Sequence, residues 1–190
     1  MEALAITGWM LPGKTVQLPE EAQLIVRARK DPEAMAQLFR DHYSQTVRYI
    51  SRRTGNRAVT DDLVSEVFLT MVRYLPRYRI GQTPFQAWLY RLATNQVNRW
   101  AKRQRRYAWQ QLQDYAAPDH EQSDGEDAAR VRAALLTLPL HYQSALALHY
   151  LEEMSVEAVA QVLGCAIGTV KSRLARGREL LRPLLSEQDA

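Results

Sequence analysis

The chain has 190 residues, 46% of them hydrophobic, which suits one medium domain or two small ones with a buried core. No apolar run approaches the roughly 20 residues of a bilayer span, and the opening MEALAITGWMLPGK lacks the cationic-then-apolar order of a secretory leader, so a cytoplasmic protein that does not engage a membrane is expected. The net charge of +4 conceals an asymmetry: residues 1–113 hold 18 Lys/Arg against 9 Asp/Glu, residues 114–127 hold 6 acids and no base, and residues 128–190 hold 7 bases against 6 acids. A basic part, an acidic strip and a near-neutral part describe a two-part protein whose first part meets a polyanion. The single cysteine, Cys165, rules out an internal disulfide and a cysteine-rich zinc centre and reads as a small buried filler. His42, His120, His141 and His149 form no i, i+4 pair, and no HExxH, GxSxG or GxxxxGK[ST] pattern occurs. No catalytic residue, metal or cofactor is therefore expected.

In chain order the pattern is helical almost throughout. Asp31-Pro32 is a cap followed by proline at the first helical position, predicting a helix to about Arg53 with Gly55 as its stop. Thr60 is the expected cap of a second helix, with Asp61 and Asp62 in its first turn and Pro76 just past its end. Thr83-Pro84-Phe85-Gln86 reads as a capping box that opens a third. DYAAPDHEQSDGED, residues 114–127, has almost no apolar residue and reads as a mobile linker. Helical patterning resumes near Ala128, breaks at Leu138-Pro139, continues to Tyr150 and ends in two further short helices. No internal repeat and no useful strand-like alternation appears.

Two stretches carry chemistry. WLYRLATNQVNRWAKRQRR, residues 88–106, has three aromatics, six Arg/Lys, two Asn and no carboxylate. Phe85, Trp88, Leu89 and Leu92 form an apolar stripe for two turns, after which Arg99 and Arg103 occupy its continuation, so the later turns must project from the body. A solvated basic helix end is the plain alternative. The interleaved Trp88, Tyr90, Trp100 and Tyr107 favour a nucleic-acid surface, because aromatics stack on bases while Arg and Lys hold phosphates, and Asn95 and Asn98 add amides for base edges. A membrane-surface helix would keep its apolar face to the end.

The second stretch is MSVEAVAQVLGCAIGTVKSRLARGRELLRPLL, residues 154–185. Ser155 caps a helix with Val156, Val159, Ala160 and Leu163 inward, ending at Gly164; the next helix carries Ile167, Val170, Leu174 and Leu181 at 3, 4 and 7 spacing. This is a helix-turn-helix layout. Gly168, Ser172, Ala175 and Arg176 then point away from the core, flanked by Thr169, Lys171 and Arg173. Small groups permit close approach to a major groove, Arg176 suits guanine, and Lys171 and Arg173 suit phosphates. An ordinary helical hairpin with a basic side is the alternative.

Three segments in order resemble the sigma-70 family of bacterial RNA polymerase sigma factors, in the extracytoplasmic-function (ECF) group that keeps only two of the sigma regions. DDLVSEVFLTMVRYLPRY (61–78) is similar to the family's D-L-x-Q-E-x-F helix, WLYRLATN to its W-L-x-x-I-A-x-N signature, and GTVKSRLARGRELL to its recognition helix. The resemblance covers about residues 24–106 and 129–185. It implies an all-α chain of two small helical domains joined by a flexible acidic linker: an N-terminal extension at 1–18 that is either disordered or docked on the body, a region 2 domain at 19–107, the linker at 108–128 and a region 4 helix-turn-helix domain at 129–186. The implied partners are core RNA polymerase and promoter DNA, with an anti-sigma protein as a further one.

By the same resemblance, Asp61, Asp62, Leu63, Val64, Glu66, Val67 and Phe68 would meet the polymerase, the apolar four divided between that face and the core. Tyr78, Trp88, Tyr90, Arg91, Thr94, Asn95, Asn98, Arg99, Lys102 and Arg103 would melt and hold the minus-ten strand. Gly168, Thr169, Lys171, Ser172, Arg173 and Arg176 would read the minus-thirty-five duplex. The linker would thread toward the polymerase's RNA path. The sequence departs from the family pattern at Ser65, usually Gln; at Arg99, usually Asp; and at Ala166, usually a capping Ser or Pro. A stand-alone helix-turn-helix regulator remains the alternative. It explains residues 154–185 but not the aromatic-basic helix. A helical enzyme is a weaker one, since the acids cluster at a helix start and in the linker.

Overall fold

The computed structural model describes residues 19–110 and 126–186, all in helices and short turns. The N-terminal extension and the acidic heart of the linker, residues 111–125, lie outside the described residues. Among the described residues no helix is long and apolar enough to cross a membrane, and no group of three or more His, Cys, Asp or Glu is placed to hold a metal.

The described residues divide into two compact units, one ending at Leu38 and the other beginning at Phe39. The first contains α1 (Glu20–Ala28), whose Ala22, Leu24, Ile25 and Ala28 are buried, and the start of α2 (Pro32–Thr54). Asp31 caps α2 by accepting from the Glu33 amide at 3.0 Å, and the helix closes at Gly55, as its sequence implies.

In the second unit α3 (Arg57–Tyr74) starts a turn earlier than expected. Its cap is Asn56, whose side chain accepts from the Val59 amide at 2.9 Å. Thr60 instead turns inward: its hydroxyl donates to the Asn56 carbonyl and pairs with Thr54 at 2.8 Å. An Asn in extended conformation before the first turn outcompetes a threonine already inside it. A 3-10 turn, Leu75–Arg77, follows with Pro76 inside it.

Helix α4 (Phe85–Gln110) begins where the capping box places it, but Gln86 reaches Gln45 at 3.1 Å rather than back to the cap. Its buried ridge is Phe85, Leu89, Ala93 and Val97, while Trp88 and Leu92 of the expected stripe are half-buried. The ridge is wider than the wheel predicts because α4 packs on two sides, against α3 and α7.

The remaining elements are α5 (Glu126–Thr137), α6 (Leu140–Leu146), a π-helical turn (Ala147–Leu151), α7 (Val156–Leu163) and α8 (Ile167–Ser186). Ser155 caps α7 by accepting from the Ala158 amide at 3.1 Å. Its hydroxyl, after Glu157's own backbone amide, also holds the Glu157 carboxyl below the ordinary value. Gly164 ends α7 with φ 62°, a left-handed cap that glycine adopts without Cβ crowding.

Helix α8 packs on α5, α6 and α7. Val170 and Leu174 are buried as expected, but Ile167 is exposed. The third member of the inward stripe is Gly177: a Cβ there would lie 2.8 Å from Leu146 Cδ1, so the absence of a side chain lets α8 approach α6. Cys165 is half-buried rather than a core filler. Gly177→Val is expected to lower stability by about 1–3 kcal/mol through overpacking, whereas Gly168→Ala, in open space, should not lower it. Urea denaturation of the two variants checks this; equal effects would remove the close approach as the cause.

Candidate nucleic-acid interface

Helix α4 changes character along its length. Its first two turns are anchored by an aromatic cluster in which Tyr78, Phe85 and Trp88 have ring centroids 5.1–5.5 Å apart. Tyr78 is buried, its hydroxyl donating to the Thr83 carbonyl at 2.5 Å. The later turns are open: Asn95, Arg99, Lys102 and Arg103 are exposed, and Trp100 is half-buried. A cleft of about 620 Å³ between α3 and α4 sets Arg99, Trp100 and Arg103 opposite Asp62 and Glu66.

The expected minus-ten set therefore splits. Trp88, Asn95, Arg99, Lys102 and Arg103 present surface. Tyr78, Tyr90 and Thr94 do not, being buried in this arrangement; Thr94 Oγ1 pairs with Tyr49 Oη at 2.8 Å. Tyr49 of α2 meets both Tyr90 and Thr94, and Tyr78, ahead of α4, packs on Phe85 and Trp88.

The acidic turn on α3 divides the same way. Asp61, Asp62, Ser65 and Glu66 are exposed. Leu63, Val64, Val67 and Phe68 are all buried, so none of the apolar four is on the outer face as expected. Phe68 instead meets the rings of Phe39 and Tyr43, at 4.3 and 6.0 Å. The apolar part of the outer face comes from residues the sequence reading passed over: Leu69, 63% exposed, and Val72, 48% exposed. Their 4- and 7-residue spacing from Ser65 is the available signal.

On α8, Gly168, Lys171, Ser172 and Arg176 are exposed, with Thr169 and Arg173 half-buried at the sides. Arg176 pairs with Glu179 at 2.8 Å, an exposed contact that a stronger anion can displace. Ser172 donates to the Thr169 carbonyl at 2.9 Å. The second helix of the helix-turn-helix thus offers a short, cationic, unencumbered face.

What sequence reasoning missed is the contact between α2–α4 and the α6–α7 segment. Arg53, 1% exposed, sends Nη1 to Tyr49 Oη (3.1 Å) and Ser144 Oγ (3.3 Å), and Nη2 to Asn98 Oδ1 (3.1 Å) and Gln143 Oε1 (3.4 Å). Its Nε is buried without a partner. In the opposite sense, the Glu152 side chain, 1% exposed, accepts from Tyr90 Oη at 2.6 Å and Arg52 at 3.2 Å, with Arg48 at 3.9 Å. Arg91 donates to the carbonyls of Gln161 and Val162. Tyr90, Arg91 and Asn98, all expected on DNA, are thus committed within the chain. Glu152 is aimed inward by the π-helical turn before it and by Glu153 after it, whose φ of 53° is uncommon outside glycine. An arginine pair at a helix end reads in sequence as dipole complement, so Arg53 gave no distinguishing signal.

Comparison with known proteins bears on both stretches. The family model for sigma-70 region 2 matches residues 38–107, and that for sigma-70 region 4 matches residues 128–181. The ECF RNA polymerase sigma factor SigE of Mycolicibacterium smegmatis is 33% identical over 162 residues, which are 81% of this chain and 62% of that protein. The RNA polymerase sigma-H factor of Pseudomonas aeruginosa is 30% identical over 188 residues, with 88% of this chain and 97% of that protein covered. Among solved structures, CnrH in complex with the cytosolic domain of CnrY superposes with a TM-score of 0.68 at 25% identity, covering 87% of this chain and 97% of that one.

Burial, then the Glu152 carboxylate, raises the Tyr90 phenol far above its ordinary value near 10. A phenol raised on folding contributes stability that is intact below that ordinary value and drains away as pH climbs beyond it. Urea unfolding between about pH 9 and 11 should show stability falling with pH, and Tyr90→Phe should flatten part of the fall. An unchanged slope in the variant excludes Tyr90 as a source. Glu152→Ala is expected to cost about 1–3 kcal/mol at neutral pH, since it strips Tyr90 and Arg52 of their acceptor; a change below 0.5 kcal/mol, roughly the noise of surface substitutions, would show the contact to be energetically idle.

Proposed function

This chain belongs to the sigma-70 family of RNA polymerase sigma factors, in the ECF group, and from that premise we propose that it binds core RNA polymerase, directs it to a two-element promoter and helps open the duplex there. Proteins of this family act as initiation factors rather than enzymes. The proposed division is a region 2 part at 19–107 and a region 4 part at 129–186. The observation that carries the reading is α4, a helix rooted by aromatics whose projecting turns bear Arg99, Lys102 and Arg103 without an ion pair among the described residues.

The polymerase-docking face is the outer side of α3, with Asp61, Asp62 and Glu66 as its charges and Leu69 and Val72 as its apolar centre. Leu63, Val64, Val67 and Phe68 hold that helix on the body. Lys102, Arg103 and Arg99 follow the backbone of the unpaired minus-ten strand, Asn95 and Asn98 reach base edges, and Trp88 offers a stacking face. The arginine at position 99, where relatives usually carry an acid, adds a phosphate contact. Tyr90, Arg91 and Asn98 become available only when α4 and the α6–α7 segment part. Arg176, with Gly168, Thr169, Ser172, Lys171 and Arg173, reads the minus-thirty-five duplex.

The first experiment is co-elution of the purified chain with bacterial core RNA polymerase. Co-elution is expected for the native chain and lost in Asp61→Arg/Asp62→Arg, both exposed positions whose replacement spares the core. A folded native chain that fails to co-elute, yet binds duplex DNA alone, would overturn the sigma reading in favour of a stand-alone regulator. In promoter selection assays Arg176→Ala should relax discrimination at one upstream base pair by about 1–3 kcal/mol while leaving minus-ten selection unchanged.

A further inference from the structure

The contact between α4 and the C-terminal helices leaves a cleft of about 480 Å³, within the range of small-molecule sites. Its cationic lining is Arg91 and Lys102 from α4 and Arg173 from α8, with His141 from α6 beside them, and no carboxylate among the described residues lines it. None of the three permanent cations is paired with a carboxylate among the described residues. Arg91 meets two backbone carbonyls. Arg173 meets the Cys165 sulfur, at 3.8 Å, and no other partner among the described residues. Lys102 makes no hydrogen bond or ion pair among the described residues.

A fourth charge stands behind the wall. Asn98 and Ser144 line the cleft, and their oxygens accept from the buried Arg53. Among the described residues every acceptor of Arg53 is a neutral oxygen, and its Nε has none. A guanidinium cannot shed its proton, so a permanent positive charge sits at low dielectric with no anion from the described residues beside it. Such a charge raises the attraction of the adjacent cleft for an anion. Leu140, Val162 and Leu163 add an apolar part to the lining. Cations and hydrocarbon lining one cleft suit a molecule with a phosphate end and a flat, weakly polar end. A lone phosphate would leave most of the volume empty.

We propose that this cleft binds a free, phosphate-bearing small molecule of nucleotide size, held by Arg91, Lys102 and Arg173, which ties α4 to the C-terminal helices. Because both sides contribute to the site, binding favours the arrangement in which they touch. Arg91 and Lys102 are also assigned to the promoter strand, so the ligand and the strand compete; that last clause rests on the strand-binding reading of α4, whereas the site does not.

The test is calorimetric titration of the full chain with adenosine triphosphate at moderate salt, beside inorganic tripolyphosphate, adenosine and a short single-stranded DNA. The nucleotide is expected to bind one to one, tripolyphosphate more weakly and adenosine not measurably. Lys102→Gln and Arg173→Gln should each weaken nucleotide binding at least about tenfold. Both side chains are at least partly exposed, so the variants should keep the native melting temperature. Arg73→Gln, on exposed α3 surface away from the cleft, should leave affinity unchanged. No nucleotide binding, or equal losses in Arg73→Gln and the cleft variants, would overturn the proposal. So would a single strand that binds through Lys102 while the nucleotide does not, and that result would leave the promoter reading of α4 intact. Nucleotide bound through Lys102 and Arg173 with undiminished strand binding would uphold the site and overturn the competition.

Discussion

Two buried charges of opposite sign govern how the helices of the larger unit meet. Arg53 enters from α2 and is received by neutral oxygens of α4 and α6, while Glu152 enters from the turn after α6 and is received by Arg52 and Tyr90. Each side thus supplies the charge that the other solvates. Contacts of this kind repay much of their desolvation cost but little more, because water replaces each partner when the surfaces separate. The arrangement is therefore specific in register without being deep in energy. It contrasts with the α6–α8 packing, where Gly177 against Leu146 makes an apolar contact that loses free energy directly when opened.

This distinction bears on function. A promoter-reading surface needs cations and amides, and such groups are costly to bury unless something replaces the water they lose. In α4 the replacement is supplied from within the chain: Arg91 by the end of α7, Asn98 by Ser144, Tyr90 by Glu152. The residues proposed to hold a DNA strand are satisfied in its absence by the part of the molecule proposed to read the other promoter element. The outermost turns, with Arg99, Lys102 and Arg103, escape this and stay open to solvent.

The two irregularities beside Glu152 belong to the same design. A π-helical turn widens the end of the α6 segment, and Glu153 takes a left-handed backbone that a side chain tolerates only at a cost of order 1–3 kcal/mol. Together they turn a carboxylate inward at a position where helical continuation would carry it elsewhere. His149 helps to close the turn through its contact with the Met154 carbonyl at 2.8 Å.

Much of this was legible in the residues themselves. Local signals settled the helices: Asp31-Pro32, Ser155 and Gly164 act within a few residues of their own position, and short-range hydrogen bonds depend on little else. The acidic face of α3 and the cationic end of α4 were equally legible, because charge without an apolar neighbour at helical spacing stays outside. Tertiary packing decided the rest. Asn56 displaced Thr60 as a cap because Thr60 found a partner in Thr54. Gly177 joined an apolar stripe that no hydropathy pattern would assign to it, since its role is the absence of a side chain. Tyr90 and Thr94 went inward because α4 is packed on more than one side, which a single helical wheel cannot represent, and Tyr78 did so by packing on Phe85 and Trp88. Arg53 and Glu152 are 99 residues apart along the chain, and their burial depends on partners that only the fold brings near. Sequence by itself determined which segments are helices and which faces carry charge; the tertiary structure alone decided which of those charges are spent inside the molecule, because desolvation is a property of the neighbours and not of the residue.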